Sequence, residues 1–226
     1  MHTAGKLYIV PTPIGNLQDI TLRAISVLKS VDYIAAEDTR VTSILLKTYG
    51  ITTQIISYHQ HNEVHQTEYI IKLIQQGKSI AVVSDAGTPG ISDAAYTVVN
   101  AAIENNITVE TLPGAVAFVP ALINSGFPTH RFCFEGFLPI KKGRKARWLE
   151  LQNEKRTIIL YESPHRLLKT LQEIEIYLGG QVKVSISREI SKVFEETLRG
   201  TVSSLIQHFE RHTPRGEFVI VIHKEG

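Results

Sequence analysis

The chain has 226 residues, of which 43% are hydrophobic and 20% are charged. This composition supports one large domain or two smaller ones with a sizeable core, and it excludes a disordered tail, a coiled-coil rod and a collagen-like fibre. No apolar run reaches the ~18 residues of a membrane span, and the N-terminal segment lacks the pattern of a signal peptide. A single cysteine, Cys133, excludes a disulfide framework and a thiolate zinc site, which favours a reducing cytoplasm.

The net charge is +2, but the charged residues are distributed unevenly along the chain. Residues 1–114 carry 7 Lys and Arg against 10 Asp and Glu, whereas residues 115–226 carry 17 against 12. Five of these cations lie within seven positions: Lys141, Lys142, Arg144, Lys145 and Arg147. Basic clusters attract polyanions, although most are simply solvated surface. The asymmetry suggests an acidic half and a half that faces RNA.

The first half alternates strand and helix patterns along the chain. We predict strands at Lys6–Val10, Val31–Ala36, Gln54–Tyr58, Ser79–Ser84 and Ile107–Leu112. The intervening helices are predicted at Thr21–Ser30, Thr39–Tyr49, Glu63–Gln75 and Asp93–Glu104, with Val41, Ile44 and Leu45 pointing inward from the second. Strands joined through helices imply right-handed crossovers and a mostly parallel sheet.

The second half has fewer helices for its number of strands. We predict strands at His130–Gly136, Thr157–Tyr161, Val182–Ser187, Glu196–Thr201 and Glu217–His223, and helices at Lys145–Asn153, Pro164–Tyr177 and Val202–Arg211. This pattern favours antiparallel pairing and an α+β domain with a mixed sheet. The break is expected near Pro113 and Gly114, which predicts an N-terminal α/β domain, 1–114, and a C-terminal domain, 115–226.

Three loops of the first half are rich in glycine and proline and follow predicted strands: Pro11–Asn16, Ser84–Asp93 and Leu112–Ala115. Ligands of open α/β sheets bind beyond the carboxyl ends of the strands, and glycine lets backbone amides approach a ligand closely. Asp85 has a carboxylate that can accept hydrogen bonds from a ligand amine or ribose. Each loop alone reads as a tight turn, but three at one sheet edge indicate a cofactor site.

The sequence lacks the usual phosphate-binding motifs. No G-x-G-x-x-G opens a helix after the first strand, and no G-x-x-x-x-G-K-[ST] loop is present. A ligand held by backbone groups and one carboxylate is compatible with S-adenosylmethionine, although these features do not require it.

Six runs of residues, in this order, resemble one family: Tyr8–Leu17, Ala36–Arg40, Ser57–Glu63, Ser84–Asp93, Leu160–Arg166 and Ser187–Glu196. The family is the ribosomal RNA small-subunit methyltransferase I group of the tetrapyrrole methylase superfamily. The resemblance implies a two-domain α/β fold, S-adenosylmethionine in a cleft between the domains, a homodimer, and 2′-O-methylation of a cytidine in the decoding region of 16S ribosomal RNA. Many relatives carry a further C-terminal extension, whereas this sequence stops at Gly226, so RNA affinity or substrate choice is expected to differ.

The resemblance also implies which residues hold the cofactor. They are Pro13, Ile14, Gly15, Asp85, Ala86, Gly87, Ile91, Pro113, Gly114 and Ala115 in the first half, and Tyr161, Glu162, Pro214 and Gly216 in the second. The alternative is that the glycines and prolines among them only shape turns.

Catalytic candidates follow the second strand. A ribose hydroxyl is a weak acid, and a nearby base or positive charge helps it attack. Glu37 and Asp38 are possible bases, and Arg40 has the geometry to hold a phosphate. Asp38 is equally placed to cap the following helix, and both roles are compatible.

Further residues are candidates for RNA contact. His59, His61 and Asn62 suggest RNA contact or proton handling, because no cysteine or well-placed carboxylate completes a metal set and the chemistry needs no metal. A packed structural role for these residues is the alternative. The basic cluster is predicted to act as a clamp that binds phosphates of the RNA backbone. Arg166 lies at a helix start, where a cation is unfavourable to the helix dipole, which hints at a phosphate or cofactor contact. Arg188 and Lys192, in a mixed-charge segment, are RNA candidates for which ion pairing is the alternative.

Two other functions stay open from the sequence. One is a corrinoid or porphyrin methyltransferase of the same fold, because the fold alone does not decide the substrate. The other is a non-catalytic RNA-binding protein.

Overall fold

A computed structural model describes residues 5–93 and 95–224. The chain divides into two compact units, Met1–Val116 and Ala117–Gly226. The predicted domain boundary after Gly114 lies close to this division, and the assignment of two functional domains stays a prediction. In the described part of the chain, no helix has both the length and the apolar character needed to cross a membrane.

The first unit alternates strands and helices in one parallel sheet. Its described strands are β1 (Leu7–Ile9), β2 (Tyr33–Ala36), β3 (Gln54–Ser57), β4 (Ile80–Val83) and β5 (Val109–Thr111). The helices are α1 (Leu22–Ser30), α2 (Thr39–Thr48), α3 (Glu63–Gln75) and α4 (Ala95–Glu104), with a short 3-10 helix at Leu17–Asp19. The strand order is β3-β2-β4-β1-β5. All four pairings are parallel, as the alternating pattern predicted.

Burial explains why these segments form these elements. Every residue of β4 is buried, which is typical of a central parallel strand covered by helices on both faces. Helix α3 buries Thr67, Ile70, Ile71 and Ile74, a stripe spaced by three and four residues.

The predicted inward face of α2 is confirmed for Leu45 and wrong for Val41 and Ile44. Val41 and Ile44 are 42% and 68% exposed, whereas Thr42, Leu45 and Leu46 are buried. The buried stripe keeps helical spacing but includes a threonine in place of an aliphatic residue, so hydrophobicity alone selected a neighbouring stripe.

The second unit has a mixed sheet. Its strands are β6 (Phe132–Phe137), β7 (Thr157–Glu162), β8 (Lys183–Arg188), β9 (Glu196–Thr201) and β10 (Phe218–His223), in the order β6-β7-β10-β8-β9. Strands β6 and β7 are parallel and the other pairs are antiparallel. The predicted α/β fold class, with a parallel first sheet and a mixed second sheet, is confirmed.

The helices of the second unit are α5 (Phe118–Ser125), α6 (Arg144–Leu151), α7 (Leu167–Leu178) and α8 (Val202–Arg211). Helix α5 was not predicted, because its eight residues are mostly apolar and show no clear periodicity. It ends at Gly126, which adopts a left-handed conformation with φ 74°. Helix α7 begins at Leu167 instead of Pro164, since Ser163–Arg166 forms a turn whose Arg166 amide donates to the Ser163 carbonyl.

Candidate functional site

The three glycine- and proline-rich loops lie at one edge of the first sheet, as predicted. They follow β1, β4 and β5, which are adjacent parallel strands whose carboxyl ends point the same way. Thr12 and Gly87 exchange two backbone hydrogen bonds, of 2.9 and 3.1 Å. The Thr12 hydroxyl donates to the Ser84 carbonyl, and the Thr88 hydroxyl donates to the Ala115 carbonyl. The loops therefore form one connected rim.

Two glycines allow the loops to approach each other this closely. Gly87 has φ 88°, a backbone conformation that other residues rarely adopt. At Gly114, a Cβ atom would lie 2.5 Å from the Pro11 Cβ, so only glycine fits there. Both were predicted as cofactor residues, and the structure gives each a role in loop packing.

The other predicted cofactor residues of the first unit lie along the same rim. Pro13 is buried, whereas Ile14, Ile91 and Ala115 are partly exposed. The exposed members are Gly15, Asp85, Ala86 and Pro113.

Asp85 joins this rim to the loop after β2. One of its carboxylate oxygens, Oδ1, accepts a 2.9 Å hydrogen bond from the Asp38 amide. The Asp85 backbone also lies near enough to the Glu37 carboxylate to lower the pKa of that group. Since β2 and β4 are neighbours in the sheet, Asp85 holds their two carboxyl-end loops together.

Asp38 and Arg40 are engaged with each other. The Asp38 carboxylate caps α2 by accepting from the Arg40 amide at 2.8 Å, and it also accepts from Arg40 Nε and Nη2 at 3.0 and 2.6 Å. These bonds lower the pKa of Asp38 to about 2. A carboxylate of so low a pKa is a poor proton acceptor, so the capping interpretation describes Asp38 better than the catalytic one.

Glu37 differs from its neighbour. The residue is exposed overall, but partial burial of its carboxyl raises its pKa above the ordinary value, and the charges of Asp85 and Asp93 raise it further. A raised pKa makes Glu37 the better proton acceptor of the predicted catalytic carboxylates.

The raised pKa of Glu37 predicts a pH-dependent effect on stability. A carboxyl whose pKa is higher in the folded than in the unfolded chain destabilises the fold as pH rises through its folded pKa. Glu37→Gln, which keeps an acceptor for the Asp85 amide, should therefore raise the melting temperature slightly at pH 7. Below the ordinary pKa of 4.5 the gain should vanish. Calorimetry at pH 7 and pH 4 checks this, with Glu68→Gln on the exposed face of α3 as control. Equal melting temperatures at pH 7 would contradict it.

His59, His61 and Asn62 lie between β3 and α3. The Asn62 side chain holds this turn, accepting from the His59 amide at 2.8 Å and donating to the Ser57 carbonyl at 3.4 Å. The rings of His59 and His61 meet edge to face, 5.9 Å apart. His59 lies near enough to Glu37 to lower the pKa of that carboxyl, so the turn borders the carboxyl edge. Within residues 5–93 and 95–224, no group of three or more His, Cys, Asp and Glu is arranged to hold a metal ion.

In the second unit, the predicted cofactor residue Glu162 is buried among protein partners. It accepts from Arg166 Nε at 2.6 Å, from the Ser163 amide at 2.8 Å and from the Thr170 hydroxyl at 2.7 Å. Its side chain is only 1% exposed, so the carboxylate serves protein partners, and a cofactor contact through the rest of the residue stays a prediction. The pairing also explains Arg166 at the start of α7, because the Glu162 carboxylate offsets the unfavourable end of the helix dipole.

The basic cluster separates into two kinds of residue. Arg144 is buried, with Nη2 2.6 Å from a Glu173 oxygen and 2.7 Å from the Thr170 hydroxyl. Arg147 pairs with Glu135 at 2.5 Å and also with Glu150. The predicted clamp role is therefore wrong for Arg144, and Arg147 is already neutralised. The exposed cations of the cluster are Lys141, Lys142 and Lys145.

The remaining predicted residues cluster around the Arg188–Glu196 segment. Lys192 bonds Glu189 and Glu217 at 3.0 and 2.7 Å, and Arg188 lies 3.3 Å from Glu196. Ion pairing therefore accounts for both cations.

The predicted cofactor glycine of this region has a packing role. Gly216 has φ 87°, and a Cβ there would lie 2.5 Å from Glu189 Cγ. Pro214, two positions earlier, is partly exposed, and burial raises the pKa of the half-buried Tyr161 to about 12.

Structural contacts missed by the sequence analysis involve small hydroxyls and distant acids. Thr12 and Thr88 connect the loops, and Thr170 and Glu173 hold Arg144. Glu173 lies 29 positions from Arg144, so no local signal points to it. The only sequence feature that points to Thr12 is its position between the two prolines of the first loop.

Comparison with known proteins identifies the family to which the chain belongs. Residues 6–206 match the family model described as Tetrapyrrole (Corrin/Porphyrin) Methylases. Proteins named ribosomal RNA small subunit methyltransferase I are similar to this chain. The one from Synechocystis sp. is 51% identical over 96% of this chain and 78% of the relative. The one from Thermotoga maritima is 45% identical over 96% of this chain and 98% of the relative.

Solved structures share the fold. Uroporphyrin-III-C-methyltransferase from Thermus thermophilus has a TM-score of 0.69 at 20% identity, covering 96% of this chain and 94% of that one. A cobalt precorrin-4 methyltransferase has a TM-score of 0.72 at 18% identity, with the same coverage. At these identities the likeness establishes the fold alone. By its family model and its close relatives, the chain belongs to the tetrapyrrole methylase family of methyltransferases and, within it, to the ribosomal RNA small subunit methyltransferase I group.

Proposed function

We propose that the chain transfers a methyl group from S-adenosylmethionine to the ribose 2′-hydroxyl of a cytidine in the decoding region of 16S ribosomal RNA. The observation that carries the cofactor site is the connected rim, where the loops after β1, β4 and β5 meet the acidic loop after β2. The names of the close relatives support small-subunit ribosomal RNA as the substrate class.

The chemistry of the rim suits this cofactor. The exposed carboxylates Glu37 and Asp85 lie close enough to raise the pKa of Glu37, so a cationic ligand would relieve their repulsion. Only Oδ1 of Asp85 is engaged among the described residues, which leaves Oδ2 for a ligand amine or hydroxyl. When bound, S-adenosylmethionine supplies an electrophilic methyl group and a positive charge. The chain's own contribution is to orient the ligand.

Glu37 is the proposed proton acceptor. With its raised pKa, the Glu37 carboxylate is better suited to take the proton of a ribose hydroxyl than the carboxylate of Asp38, whose pKa is low. Arg40 is exposed and paired with Asp38, so it would have to exchange this partner to hold a substrate phosphate.

The exposed lysines of the basic cluster are the proposed phosphate contacts. Changing Lys141, Lys142 and Lys145 together to glutamine should weaken RNA binding and flatten the slope of log affinity against log salt by about 2, since each phosphate contact adds about 0.7 for single strands. Binding titrations at several salt concentrations measure this. A matched control changes Lys29, Lys47 and Lys72, exposed lysines of the first unit, and removes the same charge. An equal slope for both triple variants would contradict the assignment.

The proposed partners are 16S ribosomal RNA, free or in the small subunit, and a second copy of the chain. The homodimer and the cytoplasmic location are supported by family resemblance. Cofactor contacts from Tyr161, Pro214 and Gly216 stay predictions on the same ground.

A methyl-transfer assay tests the function. Tritiated S-adenosylmethionine is incubated with small subunits from cells that lack the endogenous enzyme, and the RNA is then hydrolysed with alkali. Label in an alkali-resistant dinucleotide is expected, because a methylated 2′-hydroxyl cannot cleave the neighbouring phosphate. Absence of label despite cofactor binding would contradict the proposal and favour a tetrapyrrole substrate. RNA binding without any transfer would favour a non-catalytic protein.

A further inference from the structure

Three phenylalanines of β6 lie on one face of the second sheet, although they are spaced by two and then three residues. Phe132, Phe134 and Phe137 pair with alternate residues of β7, and the register shifts between Phe134 and Gly136. The β-bulge absorbs the extra residue and returns Phe137 to the face of the other two. A regular strand would have turned it to the opposite face.

These rings form a continuous series, called here the aromatic ribbon: Phe132, Phe118, Phe134, Tyr161 and Phe137. Successive ring centroids along it are 6.0, 4.7, 5.0 and 5.6 Å apart. All four distances lie within the range of favourable aromatic pairs. The contacts hold the rings in place, so a flat ligand would meet a preorganised surface.

Both ends of the aromatic ribbon are open to solvent. Phe132 is 37% exposed and Phe137 is 54% exposed. They lie on β6, a strand at the edge of its sheet. Exposed phenylalanines at both ends of one series of ring contacts on an edge strand mark an interaction surface.

The residues that flank β6 along the chain are cationic. Exposed Arg131 precedes β6, and exposed Lys141 and Lys142 follow it. The acid of the strand, Glu135, is nearly buried and paired with Arg147. Between residues 130 and 142, cations therefore flank the rings and the carboxylate is neutralised.

We propose that the aromatic ribbon stacks unpaired bases of a single-stranded RNA segment while the flanking cations bind its phosphates. Aromatic rings interleaved with cations are the chemistry that binds single strands, because each base has a face to stack and each nucleotide a phosphate to neutralise. A base-paired stem keeps its bases stacked inside and gains nothing from the rings. The proposal deepens the proposed function by assigning the substrate's flanking strand to this surface.

Binding of a short unstructured RNA oligonucleotide to the full chain, followed by fluorescence anisotropy, tests the ribbon. Phe132→Leu and Phe137→Leu keep an apolar side chain but remove the ring, and each should weaken binding about 5- to 150-fold. Phe137→Trp should retain the affinity. Phe194→Leu is the matched control, since Phe194 is 71% exposed and outside the aromatic ribbon. The affinity for an RNA duplex of the same length should be the same for the wild type and for the leucine variants.

The outcomes separate this inference from the proposed function. Leucine variants that bind the oligonucleotide as tightly as wild type overturn the inference, even if the wild type methylates small subunits. A wild type that binds through the aromatic ribbon but transfers no methyl group supports the inference and contradicts the proposed function. Calorimetry with S-adenosylhomocysteine provides the third readout. Lost affinity for that ligand, with RNA binding unchanged, would assign the rings to the cofactor and overturn the proposal.

Discussion

Replacing Arg144 by methionine should lower the free energy of unfolding by about 3 kcal/mol, because it leaves the Glu173 carboxylate without its counter-charge and takes one of two cationic neighbours from Glu162, which keeps Arg166. The Arg144 side chain is 6% exposed and that of Glu162 is 1% exposed. The guanidinium donates to Glu173, to the Thr170 hydroxyl and to the Pro139 carbonyl. It therefore joins the connection before α6 to the first turns of α7.

The chain contains a built-in probe for this measurement. Trp148 is its one tryptophan, lies fully buried one turn from Arg144, and donates to the same Glu173 carboxylate at 3.0 Å. Urea unfolding followed by tryptophan fluorescence therefore reports on this unit. The matched control is Lys145→Met, on the next residue of α6, which is exposed and should change stability by less than about 0.5 kcal/mol.

A second variant identifies the cause. Adding Glu173→Gln to Arg144→Met removes the orphaned charge, so the double variant should recover part of the loss. Equal stability of Arg144→Met and Lys145→Met would show that the buried ion pairs contribute nothing.

Asp85→Ala should weaken binding of S-adenosylmethionine by about 1–3 kcal/mol, which is the cost of removing a hydrogen-bond acceptor for a ligand. Asp85 lies where the loop after β4 meets the loop after β2, with one oxygen engaged by the Asp38 amide. Calorimetry with S-adenosylhomocysteine measures the affinity without turnover.

Because Asp85 also holds a loop, the experiment needs two controls. Asp85→Asn keeps an acceptor for the Asp38 amide while removing the charge, and its affinity should lie between wild type and Asp85→Ala. Asp38→Ala removes the α2 cap and leaves the Asp85 carboxylate intact. If Asp38→Ala weakened binding as much as Asp85→Ala, the effect of Asp85 would be one of loop order, and the direct contact would be refuted.

The sequence by itself determined the fold class and most of the element order. Helices α3 and α8 and strand β9 were predicted with their observed ends, because each has strong periodicity and clear boundaries. The glycine- and proline-rich loops were recognised for the same local reason, and parallel strands necessarily bring them to one edge. Family motifs along the chain supplied the methyltransferase group, which comparison with known proteins confirmed.

The tertiary structure decided which charges are available. Five cations in seven residues looked equivalent along the chain, yet Arg144 and Arg147 pair with carboxylates and the three lysines remain exposed. It also decided that Glu162 is an interior ion-pair partner and that a bulge aligns the phenylalanines of β6. The physical reason is common to all of these. Burial, ion pairing and the facing of a side chain depend on partners distant in sequence, whereas periodicity and turn chemistry are encoded within a few neighbouring residues.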